Sequence, residues 1–189
     1  MTLRELLGER QPAVCARWRD AILAEYGEAT AARWRRVRDP FANPFGHALS
    51  TGLPKLLEAI AAGGEPPAAA VEALEGIVKI RSVQGLAASR AVAFLAALRA
   101  AVRAELEAEL AGGAHDAELA AVDAEVERYT LAAFDVYVRI REQIHRMRQD
   151  ELKRSVASIL RRWHGGEAME MPPELVSLSA PATARGGGG

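Results

Sequence analysis

The sequence predicts an all-α protein: a helical bundle closed by one long C-terminal helix. Three observations carry this. Half of the 189 residues are apolar, with only 5% aromatic, and runs of Ala, Leu, Glu and Arg favour helix over strand. Glycine and proline pairs punctuate the first two thirds at helix-length intervals. From Asp116 to Trp163 there is neither proline nor glycine, and apolar residues there follow three- and four-residue steps.

The elements follow in order. Thr2 with Glu5 has the spacing of a capping box and starts a short helix. Gln11 to Tyr26 reads as an amphipathic helix, with Val14, Trp18, Ile22 and Tyr26 on one face and Gly27 as its stop. A shorter piece over 29–37 holds Trp34 among arginines. Asp39-Pro40 and Asn43-Pro44 then turn the chain, because the residue before each proline is held extended. Pro44 suits a first helical turn with Asn43 as its cap, and Gly46 suggests close approach by another helix. That helix runs through Leu49, Leu53, Leu56, Leu57 and Ile60 to Gly63-Gly64, with a kink or restart expected at Gly52-Leu53-Pro54.

Glu65-Pro66-Pro67 opens a further helix carrying Val71, Leu74, Ile77, Val78 and Ile80. Gly85 to Ala88 connects it to a helix capped by Ser89, with Val92, Leu95, Leu98 and Val102 inward, ending at Gly112-Gly113. In the long helix Leu119, Val122, Val126, Tyr129, Ala133, Val136 and Ile140 form a coiled-coil-like seam. A continuous helix of that span would be roughly 70 Å long, so its C-terminal half is expected to leave the domain and pack on something else. The division expected is a helical domain over 1–138 (which the resemblance given below makes globin-like and sensory), an extended basic amphipathic helix over 139–164, and a disordered Pro/Gly/Ala-rich tail over 165–189. Met171 to Val176 in that tail reads as solvated or as a short docking segment.

Composition excludes several functions. The formal net charge is −1, so no bulk electrostatic argument favours nucleic acid, and none is expected as a partner. Cys15 is the only cysteine, which rules out an intramolecular disulfide and a Cys-based zinc site. The N-terminus lacks a signal-peptide pattern, and no segment reaches the ~20 apolar residues of a membrane span. A soluble cytoplasmic protein is the expectation. There is no phosphate-binding glycine loop and no nucleophile elbow, so no enzyme activity is expected. Glu142 and His145 have the spacing of a helical dimetal ligand pair, but the second Glu-x-x-His is missing, and no metal site is expected.

Two constellations remain. His47, in the first turn after Asn43-Pro44, either ligates a haem or donates to a backbone carbonyl as a partly buried histidine. Arg81 and Gln84 stand on an otherwise apolar helix. A buried guanidinium without partners would cost several kcal/mol, so Arg81 either lines a small-ligand site with Gln84 or ties the Asp39 turn or a helix C-terminus. His47, Arg81 and Gln84 are therefore the candidate ligand-binding residues. The second constellation is the end of the long helix. From Arg139 to Arg162 basic residues outnumber acidic ones by five, beside an apolar stripe from Ile140 to Trp163. Arg139, Arg146, Met147, Leu152, Leu160 and Trp163 are the candidate interaction residues, fitting a partner helix, an acidic protein face or an anionic membrane surface.

Three blocks carry a family resemblance: Asp39-Pro40-Phe41-Ala42-Asn43-Pro44 with Gly46, Ile80-Arg81-Ser82-Val83-Gln84, and Ser89 to Leu95. Together they resemble the N-terminal sensory domain of RsbRD-type proteins, the co-antagonists of the RsbT kinase, over about Trp18 to Phe134. The resemblance implies a globin-like helical fold without haem, a homodimer, and a signal passed through the C-terminal helix. The stressosome proteins of that family continue into a STAS domain, whereas here a helix and a tail are expected to follow. The segment from Phe134 to Glu142 also resembles stand-alone relatives associated with membrane-attached redox complexes of sulfur respiration. The resemblance thus implies a regulatory kinase system or such a complex as partner, and a sensory or adaptor role. A haem- or ligand-binding globin relative is the alternative.

Overall fold

Residues 1–37 and 39–163 are described by a computed structural model, and every regular element among them is α-helical. The helices are α1 (Leu3–Glu9), α2 (Gln11–Ala24), α3 (Glu28–Arg36), α4 (Pro44–Ala62), α5 (Ala68–Val83), α6 (Ala88–Val92), α7 (Phe94–Glu105), α8 (Glu107–Leu110) and α9 (Asp116–Trp163). The tail expected over 165–189 lies outside the described residues.

Local chemistry accounts for the boundaries. The Thr2 hydroxyl accepts from the Glu5 amide while the Glu5 carboxylate accepts from the Thr2 amide, a reciprocal capping box. Asn43 caps α4 by accepting from the Gly46 amide at 2.8 Å, and Pro44 fills the first turn. Pro54 does not break α4, contrary to the kink or restart expected there; the helix runs unbroken from Pro44 to Ala62. The ladder bond lost at Pro54 is offset by burial of Leu49, Leu53, Leu56, Leu57 and Ile60 along one face.

Two glycines differ from expectation. A Cβ at Gly46 would fall 2.1 Å from Nδ2 of Asn43, so the close neighbour is the cap of its own helix and not a second helix. Gly52 is where two helices approach: a Cβ there would lie 3.2 Å from Cδ1 of Ile77 and 3.3 Å from Cβ of Ala73, both on α5.

The helix expected from Ser89 to Gly112 is three pieces, and Ser89 caps none of them. α6 begins after Ala87 and the first break falls at Ala93. Side chains from other helices take the carbonyls around that break. Arg81 of α5 binds those of Arg90 and Ala91, and the Trp18 indole of α2 donates to that of Phe94.

The chain divides into two compact units, Met1–Gln143 and Ile144 onward. In the first, α2 packs on α4 and α7, and α4 on α5. Trp18, Phe45, Phe94 and the leucines of α1, α4 and α7 fill the core. α9 contributes Val122, Val126, Tyr129, Ala133 and Val136 of the seam read from the sequence, with its ends Leu119 and Ile140 partly buried against the same core, and adds Tyr137, which that seam did not include. Salt-bridged hydrogen bonds tie α9 in as well: Arg103 binds Asp123, and Arg139 binds Glu75. The Tyr137 hydroxyl donates to the Leu86 carbonyl at 2.8 Å. α9 is a single 48-residue helix, and its residues from Ile144 to Trp163 belong to the second unit.

Candidate functional site

The three signature blocks converge on one cluster. Tyr26, just past the end of α2, lies 4.8 Å from Trp34 and 5.4 Å from Phe45 between ring centroids, and Trp34 lies 5.0 Å from Phe45. These edge and tilted contacts are the geometry aromatic quadrupoles prefer. They clamp the end of α2, the end of α3 and the start of α4. Asn43, almost wholly buried, completes the joint: its amide nitrogen donates to the carbonyls of Trp34 and Val37, each at 2.8 Å, while its oxygen caps α4. Asp39 closes its own turn by accepting from the Phe41 amide at 3.0 Å.

Arg81 reaches the same cluster from α5. Its side chain is entirely buried, and all three nitrogens of the guanidinium find acceptors. Nε donates to the Ala91 carbonyl at 3.0 Å, and one terminal nitrogen to the Tyr26 hydroxyl at 3.2 Å. The other donates to the Arg90 carbonyl at 2.6 Å and to Glu25 at 2.8 Å. Of the two anchors expected for Arg81, the helix C-terminus is the one present: Arg90 and Ala91 lie in the last turn of α6. The Asp39 turn is not its partner, because that carboxylate serves its own turn. Glu25 supplies the counter-charge instead. The Tyr26 hydroxyl donates in turn to the Gln84 amide oxygen at 2.9 Å, and burial pushes the phenol's pKa up despite the Arg81 charge beside it.

Gln84 itself is exposed, as is His47, whose ring makes no hydrogen bond or ion pair among the described residues. The structure therefore joins Arg81 and Gln84 through Tyr26 and does not bring His47 to them. Sequence reasoning missed Glu25 and Tyr26 as partners of Arg81. The available signal was an acidic and an aromatic residue at a helix end, just before Gly27. A groove of about 200 Å³ between α4 and α5, lined by Thr51, Gly52, Lys55 and Glu72 among others, includes neither His47, Arg81 nor Gln84. Small-molecule sites usually offer ~300–1,000 Å³. Among the described residues no group of three or more His, Cys, Asp or Glu is placed to hold a metal ion.

The candidate interaction residues fall into two sets. Arg139 belongs to the first unit and is engaged there with Glu75. Arg146, Met147, Leu152, Leu160 and Trp163 belong to the second and are all exposed, Trp163 at 85%. No helix among the described residues is long and apolar enough to cross a membrane.

The described residues thus form an all-α bundle whose buried arginine is spent on its own framework, with a long last helix that carries exposed apolar residues. The family model for the RsbT co-antagonist protein RsbRD N-terminal domain matches residues 12–152, and the chain belongs to that family. Its general role is accordingly sensory and regulatory, in the setting of stress-response signalling. No curated protein and no solved structure matches the chain.

Proposed function

We propose that the protein is a non-enzymatic sensory or adaptor module of the cytoplasm, which dimerises and engages a protein partner through Arg139–Trp163 of α9. The partner is a regulatory kinase system or a membrane-associated redox complex. The observation that carries this reading is the exposure of Met147, Leu152, Val156, Ile159 and Trp163 along one continuous helix, since large apolar side chains gathered on a surface mark interaction sites. A small repacking of the bundle would bias how α9 meets its partner, a shift between two states and not a catalysed step. The commitment of Arg81 to backbone carbonyls and Glu25 supports a framework role for it, and Cys15, its pKa raised to about 11 by burial, is a poor nucleophile.

Mass spectrometry of proteins that co-purify with the tagged chain, beside a truncation after Gln143, tests the reading. A defined partner present with the full chain and lost on truncation is expected. A chain that comes down alone in both forms refutes it. Sedimentation equilibrium checks the dimer. The alternative of a haem held by His47 requires a Soret band that His47→Ala removes; a featureless visible spectrum is expected.

A further inference from the structure

The last three turns of α9 carry a second kind of information. Leu152, Val156, Ile159 and Trp163 recur at steps of four, three and four, which sets them on one helical face with Leu160 beside it. Their exposures run from 39% for Leu160 to 85% for Trp163, so this face is uncovered. Between Leu152 and Trp163 there is no acidic residue, while Lys153, Arg154 and Arg161 are basic and exposed. Arg154 meets Glu151 at 3.3 Å, but both side chains are 75% exposed and the pair is well screened.

From this we infer that Leu152–Trp163 seats on an anionic lipid surface, lying in the plane of the interface with its apolar face among the acyl chains. This goes beyond the proposed protein contact and rests on α9 being the output element: the lipid covers the apolar face of the last three turns, which leaves Arg139 to Met147 for the protein partner. Charge complementarity selects the occupant. Two copies of this face would set cation against cation. The seam is also too short for a coiled coil: the step from Met147 to Leu152 is five residues and breaks the register, leaving about three turns where ~3–4 heptads are needed. Bulky apolar residues on one side, Lys and Arg on the other, and a terminal Trp are the features of an interfacial helix. Twelve residues span only ~18 Å as helix, enough to lie along a bilayer surface and not to cross it.

The test is co-sedimentation of the full-length protein with phosphatidylcholine vesicles, with and without phosphatidylglycerol. At least ~10-fold tighter binding to the anionic vesicles is expected from three or more basic residues near the surface, and high salt should remove the preference. Trp163 emission should shift to the blue on binding, a change that Trp163→Phe eliminates. The doubly substituted Val156→Glu/Ile159→Glu protein should lose binding with its helical circular dichroism intact, since both positions are exposed. Equal binding to neutral and anionic vesicles, undiminished binding by that double variant, or no binding at all overturns the inference. So does a protein ligand that is held by the wild type and lost in the double variant while vesicles are ignored. That last result would leave the partner-binding role of α9 standing, whereas a truncation that changes no co-purifying protein would remove that role.

Discussion

Glu25 and Arg81, 56 positions apart in sequence, form a 2.8 Å ion pair in which the guanidinium is fully buried and the carboxylate side chain keeps 27% of its surface exposed. The pair joins the end of α2 to α5. Through the Arg90 and Ala91 carbonyls it also fixes the end of α6.

Removing the guanidinium should therefore be costly. Arg81→Met leaves two carbonyls and a carboxylate without their donor. Breaking a buried pair costs ~3–5 kcal/mol, and the lower end is expected because Glu25 can rehydrate. Arg81→Lys should recover only a minority of this, since one ammonium cannot reproduce the fork. Urea denaturation of the variants measures it. A loss under ~1 kcal/mol for Arg81→Met would mean that the fork contributes little to the fold.

The Asn43 joint makes an unusual demand on Gly46. Alanine normally stabilises a helix relative to glycine by ~0.5–1 kcal/mol, yet Gly46→Ala should destabilise, because the new methyl collides with the Asn43 amide. The expected cost is that of a lost cap or an overpacked site, ~1–3 kcal/mol. Asn43→Ala should cost a similar amount or more, and Asn43→Asp should fall between, keeping the cap acceptor but not the two donated bonds. Thermal unfolding of the three variants would order them, and a stabilised Gly46→Ala would contradict the geometry.

Acid should loosen the N-terminal helix first. The Thr2 amide holds the Glu5 carboxyl below its usual pKa, and the bond to His115, followed by the Leu3 amide at 2.6 Å, does the same for Glu118. A lowered folded-state pKa means that the stabilisation is present above the unfolded value and is lost as pH falls through the folded one. As pH falls through the carboxylate range, from the unfolded value of Glu118 down past its lowered folded one, stability should therefore decline less steeply in Glu118→Gln than in the wild type. Parallel acid titrations of the two proteins would count against this reading of the α1 anchor.

Cys15 offers a kinetic check on the core. Burial raises its thiol pKa to about 11, so the reactive thiolate is scarce at neutral pH. Alkylation by iodoacetamide should be slower in the native protein than in urea by an order of magnitude or more. Equal rates in both states would place Cys15 in solvent.

Much of this architecture was legible in the chain. Helix-forming composition, the Thr2–Glu5 box, the Asn43–Pro44 start, the double prolines before α5 and the unbroken α9 seam are signals within one to seven residues of each other. Such signals reflect backbone and capping chemistry that acts locally, and one of them, the Asn43–Pro44 start, is also part of the blocks that carried the family resemblance. What the sequence left open depended on distance. Whether Arg81 would meet Asp39, a ligand or a helix end turned on which elements lie within about 3 Å of its guanidinium, and only the packing of α2, α5 and α6 brings Glu25 and two free carbonyls there. Gly46 and Gly52 look alike in the chain, yet one makes room for its own cap and the other for α5. The break between α6 and α7 is likewise met from afar, since the side chains that take the carbonyls around it are those of Trp18 and Arg81. Local chemistry specified the helices, and tertiary packing decided which polar groups would be satisfied by whom.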